Sequence, residues 1–209
     1  MLRLYDYLNS GNCYKVRLLL CLLGEPFERI PVNILKGETR TPEFLEKNPS
    51  HRVPLVEWPD GHRLAESNAI LWYLAEGTRF LPGEAWERAQ TLQWMFFEQY
   101  SHEPAIAVVR YWHHAGLIEQ NRGALPGKME QGYQALNILE DHLREREYLV
   151  GACYTIADIA LYAYTHVAHE GGFDLRGYSA VNSWLERIRS HPGHVGITDE
   201  VGPPGSYSV

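Results

Sequence analysis

Ser10-Gly11-Asn12-Cys13-Tyr14-Lys15-Val16-Arg17-Leu18-Leu19-Leu20 is the stretch whose reading decides the fold. It follows a short alternating segment, residues 2–7, in which Leu2 and Leu4 take one face and Arg3 and Tyr5 the other. It then opens a helix: Val16, Leu19, Leu20 and Leu23 recur at helical spacing, and Gly24 is a C-terminal stop. A hydroxyl, a glycine, an amide and a thiol are thus gathered at one helix N-terminus. Unpaired backbone N–H groups and the positive end of the helix dipole point outward there. Such a place stabilises anions, thiolates included.

Working outward, residues 27–32 read as a second strand and 36–41 as a polar loop. Thr41-Pro42-Glu43-Phe44 is a cap with proline at the first helical position. Strands over 53–58 and 62–66 flank the turn Pro59-Asp60-Gly61 and form a hairpin. Ser67 then caps a helix running to Glu76, with Gly77 behind it. Strand, helix, strand, helix, strand, strand, helix is an α/β unit of thioredoxin type, its first half a parallel pair with a crossover. Phe80-Leu81-Pro82-Gly83 breaks the pattern and reads as a linker. Beyond it only helices are expected, over 85–116, 128–145, 155–168 and 179–190, with Pro104 interrupting the first. Residues 191–209 are rich in Gly, Pro and Ser and read as a surface tail. The expected organisation is an α/β domain over 1–79, a linker over 80–84 and an all-helical domain over 85–209.

The 209 residues carry a net charge of −7, which argues against general nucleic-acid binding. No apolar run is long enough for a membrane span, and the N-terminus reads directly as a strand without a signal-peptide region. Three cysteines, Cys13, Cys21 and Cys153, suit a reducing cytoplasm better than a disulfide scaffold. Ten histidines occur, including His113-His114, His166-x-x-His169 and His191-x-x-His194. None of these clusters brings a third ligand at zinc spacing, so no metal is expected.

Several residues combine a structural use with a chemical one. Ser10 is either a plain helix cap or a hydroxyl donor to a bound thiolate. Cys13 is either a small buried hydrophobe or a nucleophile acidified by the helix, and no second cysteine stands at CxxC spacing. Pro54 enters a strand, where it belongs at a start or an edge; a cis bond there would leave the Val53 N–H and C=O to pair with a peptide-like ligand. Glu66-Ser67 ends a strand and begins a helix, so it is either a plain cap or a pair that receives an ammonium and a carboxylate. Thr155-Ile156-Ala157-Asp158 reads as a capping box with Asp in place of Glu, a structural role.

Taken together these pieces resemble the cytosolic glutathione transferases over nearly the whole chain. The resemblance rests on residues 10–17, Thr41-Pro42-Glu43-Phe44-Leu45, Asn48-Pro49-Ser50-His51-Arg52-Val53-Pro54, Glu66-Ser67-Asn68-Ala69-Ile70 and Thr155-Ile156-Ala157-Asp158, in that order. The chain is similar to bacterial serine-type members, related to the theta, delta and zeta classes. The resemblance implies that glutathione is a co-substrate without any metal, and that Ser10 activates its thiol. It implies that Val53 pairs with the cysteinyl backbone, that Pro54 is the family's cis-proline, and that Glu66 and Ser67 bind the γ-glutamyl end. His51 matches a histidine near the glycyl end. Arg52 occupies a variable position. Thr39 stands where delta-like members often carry histidine, leaving that contact to Lys36 or Arg40. Asn12 replaces a cysteine of zeta-like isomerases, which argues against maleylacetoacetate isomerase chemistry, and its amide is an alternative donor to the sulfur.

The implied partner is a small hydrophobic electrophile held in an apolar pocket, for which Tyr7, Leu8, Tyr100, Tyr111 and Trp112 are candidates. The resemblance also implies a cytoplasmic homodimer in detoxification, acting on neither nucleic acid nor membrane. Two other readings stand beside it: a glutathione-binding regulatory module of the same fold, and a thiol-disulfide or peroxide reductase using Cys13.

Overall fold

The structure, a computed structural model, describes residues 1–201. β1 (Leu2–Asp6) lies at the inside of a four-stranded sheet of order β2-β1-β3-β4. It pairs in parallel with β2 (Phe27–Pro31), Leu2 opposite Phe27 and Leu4 opposite Arg29. On its other edge it runs antiparallel to β3 (Leu55–Glu57), Tyr5 opposite Leu55. β3 turns into β4 (Arg63–Ala65) through the expected hairpin. The alternation of β1 sets up two cores. Leu4 packs with Val16, Leu20, Phe27, Val56 and Ile70, whereas Tyr5 on the opposite face packs with Val32, Phe44 and Leu55.

α1 (Gly11–Leu23) is the crossover between the parallel strands and stops at Gly24, whose φ of 68° is left-handed. Residues 34–36 and 38–40, overlapping the loop expected over 36–41, form short 3₁₀ turns, and Asn33 caps the first of them with its side chain. α2 (Pro42–Leu45) starts at Thr41, whose hydroxyl accepts from the Phe44 N–H. α3 (Ser67–Ala75) follows β4.

Residues 192–201 belong to this first unit with residues 1–76, where the sequence reading has a surface tail. Long-range contacts hold them. Tyr14 Oη donates to the Val195 carbonyl at 2.8 Å, Arg17 donates to the Ile197 carbonyl at 2.7 Å, and Val201 joins the Leu4 core. The remainder of the expected tail, 202–209, lies outside the described residues.

The second unit spans residues 77–191. It includes the stretch expected as a linker: Phe80 and Leu81 are buried, the Phe80 ring meets Tyr154 edge-on, and its carbonyl accepts from the Ile156 N–H at 2.9 Å. α4 (Ala85–Phe97) passes through a π turn (Glu98–His102) into α5 (Glu103–His114). Pro104 explains the irregularity, because its ring and missing N–H disrupt the preceding i−4 ladder. α6 (Leu125–Leu143) approaches Phe173 so closely at Gly132 that a Cβ there would lie 2.4 Å from the ring. α7 (Ile156–Thr165) is buried along its whole length, and α8 (Ser179–Arg189) buries Val181, Trp184 and Ile188.

Asp158 organises this unit. Its Oδ1 accepts from the Leu149 N–H at 3.0 Å and the Trp184 Nε1–H at 2.9 Å. Its Oδ2 accepts from the Thr155 N–H at 2.9 Å and the Thr155 hydroxyl at 3.1 Å. The capping box is complete, and burial pushes the Asp158 carboxyl up to about 6 despite these bonds. No helix among the described residues is long and apolar enough to cross a membrane. No group of three or more His, Cys, Asp or Glu among them is placed to hold a metal ion.

Candidate functional site

The chemistry-bearing residues of the first unit lie where strands end and helices begin. β1 stops at Asp6, and the chain passes through Tyr7, Leu8 and Asn9 to Ser10, all half-buried. Ser10 is extended (φ −79°, ψ 122°), its N–H donates to the Tyr7 carbonyl at 2.8 Å, and its Oγ accepts from the Cys13 N–H at 3.3 Å. It is therefore the N-cap of α1. Accepting that bond uses a lone pair and leaves the hydroxyl proton able to donate. Capping and donation to an anion are compatible in the same side chain.

Cys13 is fully buried, and its Sγ accepts from the Tyr7 N–H at 3.5 Å. Burial first and the Asp6 charge second push its thiol up to about 12, far from a nucleophile's range. The loop ahead of Ser10 is held from behind by Arg17. This fully buried guanidinium pairs with Asp6 and donates to the Leu8 and Ile197 carbonyls, each at 2.7 Å. Burial raises the Asp6 carboxyl, against the lowering effect of Arg17 and Arg29.

Asn48 shapes the second segment. Its Oδ1 accepts from the Ser50 N–H and hydroxyl, and its Nδ2 donates to the Arg52 carbonyl at 2.8 Å. His51 takes a positive φ of 58°, and both it and Arg52 are exposed. The Val53–Pro54 bond is cis. The ladder of β3 begins only at Leu55, so the Val53 backbone stands just beyond its end. Lys36 and Arg40 are exposed on the turns nearby in sequence, whereas Thr39 is buried.

The third segment departs from the expected cap. Glu66, not Ser67, is the N-cap of α3; it makes no side-chain cap bond and holds a φ of 67°. Ser67 is the first helical residue and is buried, while Glu66 is exposed. An N–H at this position has no acceptor within its helix. A non-glycine residue in a left-handed conformation at a helix start points to a site. Ser67 Oγ lies 3.4 Å from Lys15 Nζ and donates to Asn12 Oδ1 at 3.3 Å, so the N-terminal turns of α1 and α3 share one polar cluster.

In the second unit, Tyr100 lies on the π turn and is 88% exposed. Tyr111 is exposed on α5, and Trp112 packs against the cluster of Ile106, Val109, Leu136 and Phe173. Tyr7 and Leu8 belong to the first unit, in the loop ahead of Ser10. Sequence reasoning assigned no role to Lys15, Arg17 or Asn48. The signal for the first two was present: charged residues interrupt the apolar run from Cys13 to Leu20, at positions where α1 is buried on every side.

Family models describing the glutathione S-transferase N-terminal and C-terminal domains match residues 9–76 and 95–192. A relative from Escherichia coli, the disulfide-bond oxidoreductase YfcG, is 34% identical over 199 residues, covering 92% of each chain. The chain belongs to the glutathione S-transferase family. Among solved structures of the family, a glutathione S-transferase from Pseudomonas fluorescens is 52% identical, with a TM-score of 0.93 over 95% of this chain and 99% of that one. A glutathione transferase from Pseudomonas putida, solved with one glutathione disulfide bound per subunit, is 27% identical, with a TM-score of 0.82 over 92% of this chain and 88% of that one. Membership accounts for the thioredoxin-like sheet unit followed by a helical one.

Proposed function

We propose that this glutathione S-transferase family member is an enzyme that binds glutathione in its first unit and makes the thiol a nucleophile for attack on a small hydrophobic electrophile. The observation that carries the reading is Ser10: an N-cap hydroxyl that accepts from the Cys13 N–H, with a rotatable proton that the Cys13 sulfur also reaches, at the N-terminus of a thirteen-residue helix. A hydrogen bond to a charged acceptor is worth roughly 1.5–3 kcal/mol. At about 1.4 kcal/mol per pKa unit, it lowers a thiol near 8.5 by about one to two units. The thiolate forms beside Ser10, attacks the electrophilic atom, and the electrophile's leaving group or π-bond takes the displaced electron pair. Glu66 and Ser67 receive the γ-glutamyl ammonium and carboxylate, Val53 pairs with the cysteinyl backbone beside cis-Pro54, His51 with Lys36 or Arg40 serves the glycyl end, and Arg52 belongs to the same glutathione site. Tyr7, Leu8, Tyr100, Tyr111 and Trp112 remain the candidates for the electrophile.

A thiolate absorbance titration of the glutathione complex tests this. The expected midpoint lies below that of free glutathione, and an unshifted midpoint refutes Ser10 activation.

The name of the Escherichia coli relative and the glutathione disulfide in the Pseudomonas putida structure favour a second reading, thiol–disulfide exchange. In this chain such exchange would have to run on the glutathione thiol itself, because burial holds Cys13 near 12. Oxidation of two glutathiones to their disulfide would supply the electrons that cleave the substrate disulfide into two thiols. Turnover of a small disulfide by a Cys13→Ala variant separates this reading from a Cys13-dependent reductase.

A further inference from the structure

Lys15 is an unusual residue in the first unit. Its side chain is fully buried on α1, and its ammonium donates to Ser67 Oγ and to Asn68 Oδ1, each at 3.4 Å. A buried ammonium is costly to desolvate. Both acceptors lie in the first turn of α3, the end of a nine-residue helix whose leading N–H groups have no acceptors within it. Ser67 in turn gives its hydroxyl proton to Asn12 on α1 at 3.3 Å. The lone pairs of Ser67 therefore face a cation and its proton faces an amide. Its hydroxyl is committed on both sides, which fixes the turn that presents the Ser67 N–H. The positive end of the α3 dipole and the Lys15 charge add at the same place.

We infer that Lys15 is a positioning residue for the free α-carboxylate of the γ-glutamyl group, acting through Ser67 to hold and charge the turn that receives it. The inference rests on the glutathione reading above and extends it to a residue that does not touch the ligand. Lys15 is buried beneath Ser67, so its effect reaches the ligand as field and geometry. It makes the protein select glutathione over γ-linked peptides whose α-carboxylate is masked.

The test compares two ligands: glutathione, and glutathione whose γ-glutamyl α-carboxylate is converted to the carboxamide. Calorimetry on the full chain is expected to give a preference for glutathione of about ten- to hundredfold in the wild type, the range of one charge-assisted bond. Lys15→Met, which keeps length and removes charge, is expected to reduce that preference by about tenfold, mainly by weakening glutathione. A merely structural lysine would weaken both ligands equally and leave the ratio intact, which overturns the inference. Lys15→Gln removes the charge but keeps a donor, and decides the question by the same ratio if Lys15→Met does not fold. A wild type that binds both ligands equally well overturns the inference while leaving the glutathione reading standing. A wild type that binds neither overturns that reading and this one together.

Discussion

Replacing Asp158 by alanine removes one acceptor group from a set of fully buried donors. The Leu149 N–H, the Trp184 Nε1–H, the Thr155 N–H and the Thr155 hydroxyl all end on its two oxygens, at 2.9 to 3.1 Å. Each buried donor stripped of its partner costs about 1–3 kcal/mol. Water entering the vacated space and rotation of the Thr155 hydroxyl recover part of this. The expected loss is about 3–5 kcal/mol, at the upper end for a single substitution. For a chain of this size that corresponds to a fall in Tm of about 10 °C. The loss also depends on pH, in a direction that differs from the usual carboxylate. Burial puts the folded pKa at about 6, above the ordinary value of 3.8. The folded state then binds the proton more tightly than the unfolded chain, so the proton-linked part of the stabilisation is full below about pH 4 and lost as pH rises through about 6, while the rest persists. Between pH 5 and pH 7 the wild type loses about 1 kcal/mol that the variant never had. Urea unfolding followed by tryptophan fluorescence at the two pH values measures both quantities, since Trp184 reports from the site itself. A gap under about 1 kcal/mol, or a gap that widens as pH rises, refutes the reasoning.

Five further substitutions probe the first unit. Ser10→Ala is expected to lower turnover about ten- to hundredfold with little change in glutathione affinity, and steady-state kinetics with calorimetry reads both. Glu66→Ala is expected to weaken glutathione about ten- to hundredfold, and Ser67→Ala, which keeps the N–H but releases Lys15 and Asn12, about tenfold, both leaving the circular dichroism spectrum unchanged. Cys13→Ala is expected to keep most of the activity, and Cys13 in the wild type to resist alkylation at pH 8, because burial holds its thiol near 12. Arg17→Met is expected to destabilise the first unit by about 3–5 kcal/mol, since it leaves buried Asp6 with Arg29 alone, at 3.6 Å, and strips the Leu8 and Ile197 carbonyls of their donor; hydrogen exchange at Leu8 and in residues 195–199 should rise together.

Much of the fold is legible in the sequence, because its signals are local. The spacing of Val16, Leu19 and Leu20, the Thr41-Pro42 start, the turn at Pro59-Asp60-Gly61 and the Thr155/Asp158 box each act within one or two turns of chain. What was missed acts over distance. Arg17 meets Ile197 across 180 residues, and although a charge in the apolar run of α1 marks Arg17, nothing in either neighbourhood names its partner. Phe80 sits in a stretch that Pro82 and Gly83 mark as a breaker, yet its burial depends on Tyr154 and α7. The one-residue error at α3 has a different cause. The turn needs a left-handed residue, and Glu66 fills it where a glycine would have flagged the position.

That last point bears on how the site was built. Ser10 and Ser67 both look like helix caps, and in a chain read residue by residue the cap explanation suffices for each. The geometry separates them. Ser10 caps α1 by accepting a hydrogen bond, which leaves its proton to act on whatever approaches the helix end. Ser67 has moved one position into α3, where its hydroxyl is engaged by Lys15 and Asn12 and its backbone N–H, at the first helical position, has no acceptor within the helix. One serine offers a side-chain donor and the other a main-chain donor, at the starts of two different helices. A ligand with a thiol and a carboxylate needs both kinds: a mobile proton where negative charge develops, and a fixed N–H where a charge is already present. The left-handed Glu66 produces that difference, because a regular cap at Ser67 would turn its hydroxyl back onto its own helix.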